Sequence, residues 1–192
     1  MRRRTLALVL AACAALLVVY ASNAAAPSAL PSIAPSVTPA VAASSPTALA
    51  ATSTPGPIPP GYRVKVPRLA IDLPIAEGDV QRDIDRQKTP EGYAFHLPGT
   101  SIPGTPGNAY LYSHARIGMF LALWNAEVGD DVIVTTPDGR TLRYVVTQVM
   151  PAVPPDDVSV AQETPDERLT LQTSTGPVPQ DPRSVVIAKP AS

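Results

Sequence analysis

Two histidines and one cysteine bound the chemistry open to this chain, since few other side chains titrate or attack near neutral pH. The cysteine, Cys13, lies inside an apolar N-terminal run, so the charged remainder of the chain offers no thiol and no disulfide. With no thiol there, the serine and threonine hydroxyls are among the nucleophiles that remain. A serine hydroxyl does not ionise near neutrality, so it needs a base to take its proton and a third group to orient that base. His96 and His114 are the two imidazoles that could serve as that base. Spacing gives neither a carboxylate partner. Asp181 stands close to Arg183 and is expected to neutralise it. Asp156-Asp157 is an isolated acidic pair, too sparse for a calcium site, and reads as a solvated turn. No metal and no cofactor is expected.

The elements that must carry these groups begin at Tyr62, where an Ala/Pro/Ser-rich composition gives way to alternating patterns. Tyr62 to Val66 alternates as a half-buried strand does, and Ala70 to Ile75 reads as a second. Gly99 to Asn108 is rich in Pro-Gly turn signals, and Asn108 to Ser113 is the next strand. Ile117, Phe120, Leu121 and Trp124 follow a helical spacing that predicts a short helix with one buried face. Strands are expected over Asp131–Thr136, Thr141–Met150, Glu167–Thr173 and Arg183–Ala188, with Pro137-Asp138-Gly139-Arg140 turning the first into the second. Many short strands and one helix argue for a closed or nearly closed all-β barrel.

The serial order of several motifs within this span is informative. Arg68 to Ile75 forms an opening strand motif. His96-Leu97-Pro98-Gly99-Thr100, Pro103-Gly104 and Gly107-Asn108 lead to Tyr112-Ser113-His114. Phe120 with Leu123 precedes Val128-Gly129-Asp130, and a tyrosine-containing strand runs from Leu142 to Val149. Leu169-Thr170-Leu171-Gln172-Thr173-Ser174 comes next, then Arg183-Ser184-Val185-Val186-Ile187. This order resembles the sortase family, the cysteine transpeptidases that attach proteins to bacterial cell walls. The resemblance implies a closed barrel of about eight strands with one or two short helices. It also implies a peptide-binding cleft with His114 and Arg183 at catalytic positions and Thr173 with Arg183 touching substrate. Where the family's signature carries its nucleophilic cysteine, this chain has Ser174. Two functions follow as expectations: weak serine-based peptide acyl transfer (transpeptidase or hydrolase), or a catalytically inactive module that binds an extended peptide or sorting signal. Leu97-Pro98-Gly99-Thr100-Ser101 mimics such a signal but lacks its final glycine, and reads as a loop.

Ahead of the barrel, Arg2-Arg3-Arg4 precedes an uncharged run from Thr5 to Ser22, long enough for a membrane helix at the short end of the usual range. Basic residues stay on the cytoplasmic side, so the rest of the chain is expected outside the cell. A retained single-pass anchor is the first reading. A cleaved signal ending near Ser22-Asn23-Ala24 is the second, and lipidation at Cys13 within Leu10-Ala11-Ala12-Cys13 is the third. Residues 23–61 carry no charge and recurrent proline, a composition that cannot build a core and is expected to be a disordered, extended stalk. The expected organisation is therefore 1–22 membrane segment, 23–61 linker and 62–192 folded domain. Without the three leading arginines, 12 Lys and Arg face 16 Asp and Glu, a formal charge of −4. That sign excludes a nucleic-acid partner as the working expectation.

Overall fold

The computed structural model describes residues 56–192. The expected membrane segment and nearly all of the expected linker lie outside the described residues. Eight strands close into one barrel: β1 (Arg63–Val66), β2 (Ile71–Glu77), β3 (Ala94–His96), β4 (Asn108–Tyr112), β5 (Asp131–Thr135), β6 (Thr141–Val153), β7 (Arg168–Ser174) and β8 (Arg183–Pro190). Around the barrel the order is β1-β2-β3-β4-β7-β8-β6-β5, with β5 closing back onto β1. The all-β closed barrel expected from the sequence is the observed architecture.

Alternation puts one face of each strand into the core. Val64 and Val66 of β1, Ile71, Leu73 and Ile75 of β2, and Val132 and Val134 of β5 are buried at every second position. Their neighbours meet solvent, which is the period that a barrel wall imposes. Strand β8 departs from this pattern, because Ser184 to Ala188 are all buried. Val186 and Ala188 join the main core, while Val185 and Ile187 pack outward with Val153 at the end of β6. Met150 and Val160 cover that second cluster. The end of β6 and the β6–β7 loop thus lie over the outer face of β8. Register shifts between Val146 and Gln148 and between Met150 and Val153 bend β6 there. Pro151, which lacks a ladder donor, falls within the second shift.

Two pairings are parallel, β2 with β3 and β4 with β7, and each needs a long crossover. The β2–β3 crossover holds a π-helical turn at Gln81–Asp85. A Cβ on Gly78, where this crossover leaves β2, would lie 2.2 Å from the Tyr112 hydroxyl, so the close approach requires glycine. The segment after β4 forms a 3-10 helix, Phe120–Asn125, and this changes the expected burial. Three residues per turn stack Phe120 and Leu123 on the core, both fully buried. Ile117, which the helical spacing placed on the same face, precedes the helix and is 92% exposed, and Trp124 is 48% exposed. Packing also starts ahead of Tyr62. Ile58 is buried in the core, and its N–H donates to Glu77 Oε2 at 2.8 Å.

Candidate active site

A groove of about 910 Å³ runs over the outer face of β4 and β7, and His114, Ser174 and Arg183 all line it. Strand period explains its floor. Tyr110, Tyr112 and His114 succeed one another at every second position along and just beyond β4, and Gln172 and Ser174 do so on β7. Parallel pairing sets Tyr112 opposite Gln172. Antiparallel pairing sets Ser174 opposite Arg183. The two strand ends are locked together by Ser113 N–H donating to Gln172 O at 3.1 Å and by Thr173 Oγ1–H donating to Ser113 O at 2.9 Å. Thr173 is fully buried, so it lies beneath the groove and ties the strand carrying Ser174 to the residue before His114. The sequence placed Thr173 against substrate; the structure places its hydroxyl on a backbone carbonyl.

His114 is held at its backbone and its ring. Its carbonyl accepts from Arg116 N–H at 2.9 Å and Phe120 N–H at 3.1 Å. Its Nε2 lies 2.9 Å from the Thr89 carbonyl, which can only accept, so Nε2 carries the proton. A neutral ring therefore keeps its lone pair on Nδ1. Among the described residues no carboxylate bonds this histidine. The loop that supplies Thr89 is itself clamped. Tyr112 O–H donates to Asp83 Oδ2 at 2.6 Å, Arg82 pairs with Asp83, and Arg82 stacks 5.0 Å above the Phe95 ring. Arg116 and Glu91 close the other side of the loop. Burial pushes the Asp83 carboxyl up, but hydrogen bonds from Arg82 and Tyr112 outweigh it and leave the group below its ordinary range. Burial and the Asp83 carboxylate together push the Tyr112 phenol far above its usual value.

Arg183 donates from Nη1 to Asp181 O at 3.0 Å and from Nη2 to Pro179 O at 2.9 Å. The ion pair expected with Asp181 is absent, because the Asp181 carboxylate turns inward to its own loop. Asp181 Oδ2 accepts from Val178 N–H at 2.7 Å. A Cβ on Gly176 would fall 2.3 Å from that same oxygen. The guanidinium charge therefore stays uncancelled by any side chain among the described residues. Several groove residues escaped the sequence reading, Trp124 and Tyr110 among them. The Trp124 indole N–H donates to the Ser174 carbonyl at 3.1 Å, and Tyr110 O–H reaches Gln172 Oε1 at 3.3 Å. Burial pushes the Tyr110 phenol up to about 12, against the pull of the Arg183 and Arg168 charges. Extending the period of two back from His114 and Ser174 would have found Tyr110, Tyr112 and Gln172.

His96 is fully buried away from the groove, as a supporting residue. Its Nε2–H donates to Ser101 O at 3.0 Å, and its Nδ1 lies 2.8 Å from Glu77 Oε2. Asp157 caps a short 3-10 turn by accepting from Ser159 N–H at 2.9 Å. Among the described residues no group of three or more His, Cys, Asp or Glu side chains is placed to hold a metal ion.

With this geometry in hand, the comparisons with known proteins fall on one family. The sortase domain model matches residues 64–191. The chain belongs to the sortase family. Solved structures agree. Sortase A from Corynebacterium diphtheriae, as a lid mutant, is 26% identical with a TM-score of 0.59, over 70% of this chain and 71% of that one. Sortase C-1 from Actinomyces oris is 27% identical with a TM-score of 0.57, over 68% of this chain and 73% of its own. A Clostridium perfringens sortase D5 transpeptidase shares the fold at 24% identity and a TM-score of 0.56, over 70% and 82%. No curated protein matched. Family membership makes peptide acyl transfer the chemistry of this architecture, and the only cysteine of this sortase-family chain is Cys13, outside the domain.

Proposed function

We propose that the domain is an exported sortase-family protein that binds an extended peptide in the groove and transfers its acyl group slowly, through the Ser174 hydroxyl. The observation that carries this reading is the convergence of His114, Ser174 and Arg183 on one groove. Slowness follows from the chemistry of the nucleophile. A thiol titrates near roughly 8.5 and becomes nucleophilic once a nearby positive charge stabilises the thiolate. A hydroxyl must lose its proton during attack, to a base that a third group holds in place. His114 supplies the base, but its ring is oriented by a neutral carbonyl, which stabilises an imidazolium less than a carboxylate does. The same observation favours a second reading, in which the groove binds peptide and no transfer occurs.

A peptide of sorting type, with an amine acceptor, separates these readings. The wild-type protein is expected to accumulate little acyl adduct on Ser174 by mass spectrometry. Ser174→Cys is expected to form a thioester and release product at a much higher rate, and adding His114→Ala to abolish it. A wild-type rate equal to that of Ser174→Cys would establish a competent serine enzyme. An inert Ser174→Cys protein that still binds peptide would leave the binding module.

A further inference from the structure

Trp124 is the chain's only tryptophan, and it stands half exposed on the groove with its N–H fixed to the carbonyl of Ser174. A large apolar ring left 48% exposed loses the stabilisation that burial gives, and the neighbouring Phe120 and Leu123 show that core positions were within reach of the same helix. The hydrogen bond fixes where the ring lies. An indole tied to the backbone of Ser174 sits beside whatever group is held at the Ser174 hydroxyl. Other large apolar side chains open onto the same groove, Ile84, Val158 and Val178, and Pro155 and Pro177 line it too. An exposed indole face attracts either a cation or an apolar group. The groove's charges decide between them. Arg183 has no carboxylate partner among the described residues, and the groove carboxylates Asp83 and Asp157 are engaged by Arg82 with Tyr112 and by Ser159 N–H. A cation beside Ser174 would meet the guanidinium.

We propose that Trp124 is a specificity-determining residue: its indole forms the wall that accepts a neutral, apolar side chain of the bound peptide next to the carbonyl held at Ser174. This rests on the reading of Ser174 as the acyl position, and its test needs no knowledge of the natural peptide. The full chain with Ser174→Cys is alkylated with N-isobutyl-iodoacetamide or N-(2-hydroxyethyl)-iodoacetamide, two neutral probes of similar size. The introduced sulfur forms the new bond to the probe's methylene and iodide leaves. Glutathione in the same tube corrects for intrinsic reactivity, and mass spectrometry reads modification at position 174 apart from Cys13.

The isobutyl probe is expected to be favoured about tenfold, the lower end of what apolar contacts discriminate. Two further variants separate the wall from the hydrogen bond. Trp124→Phe keeps a ring and loses the donor, and the preference should survive. Trp124→Gln keeps an N–H donor and loses the ring, and the preference should fall to within about twofold. Labelling with the isobutyl probe should also change the emission of the single indole. No preference in the parent, or a preference that survives Trp124→Gln, overturns the inference. If the preference behaves as stated while Ser174→Cys transfers no peptide, the acyl-transfer reading fails and the wall stands.

Discussion

Arg183 carries its charge into the groove on two backbone carbonyls, and that choice of partner bears on function. A carboxylate would cancel the charge; carbonyls orient the planar guanidinium and leave its charge for a ligand. Arg183→Ala is accordingly expected to weaken calorimetric binding of a sorting-type peptide by roughly 10- to 100-fold, the scale of a charged hydrogen bond. Arg183→Lys should recover only part of the loss, since an ammonium lacks the fork. Equal affinity in all three proteins would make Arg183 a loop anchor and nothing more. The tyrosines make a second argument at this scale. Burial raises the phenols of Tyr110, Tyr112 and Tyr144 above their usual value, Tyr110 to about 12, so the folded state holds these protons longer than the unfolded one. The stability that this contributes is complete below pH roughly 10, the unfolded value, and is lost as pH rises through the folded values. Ultraviolet titration should show these three phenols ionising late and together with unfolding, and Tyr110→Phe with Tyr112→Phe should extend the alkaline plateau. A single step near pH 10 in the folded protein would contradict the burial argument.

At the scale of elements, the site depends on two strand ends that are far apart in sequence and bonded in space. Thr173 supplies the tie through a buried hydroxyl on the Ser113 carbonyl. Thr173→Val keeps the shape and removes the donor, and urea unfolding should report a loss of about 1–3 kcal/mol, the cost of leaving a buried acceptor unpaired. Thr173→Ser should retain most of the stability, and no loss in the valine variant would show the tie to be idle. The elements also show what the sequence could carry. Seven of the eight strands were legible, because alternation and Pro/Gly punctuation are local signals. Strand β3 was not, since Ala94-Phe95-His96 has no period of its own and is held by parallel pairing to β2. Motif order pointed to His114, Ser174 and Arg183, and the three line one groove. Trp124 was assigned to a buried helical face, because a spacing of three and four residues does not distinguish an α-helix from the tighter 3-10 turn that turned it outward. Asp83 and Thr89 reach the groove through Tyr112 and His114, partners distant in sequence, and no local pattern announces those contacts.

The whole molecule adds a question of placement, because a peptide-binding groove acts only where its peptides are. The barrel begins at Ile58, which is buried and bonded to Glu77, and Glu77 in turn holds His96 in the interior. The chain is thus already packed on the core and bonded to β2 before it reaches Tyr62. Ahead of Ile58 the sequence offers a proline-rich run, an apolar stretch and three arginines, in the order expected of an outward-facing tether. On that reading, protease added to intact cells should cut N-terminal to Ile58 and release a compact fragment, since the exposed stalk is cleaved while the packed start of the barrel resists. Edman or mass-spectrometric reading of the new N-terminus should place it between Asn23 and Pro57. A cut between Ile58 and Arg63 would contradict the packing of the entry segment, and a fragment protected until the cells are lysed would overturn the outward topology. The released barrel should keep its groove, with Ser174→Cys alkylated at the same rate in the fragment as in the full chain, because among the described residues the contacts that hold His114, Ser174 and Arg183 lie beyond Ile58 in sequence.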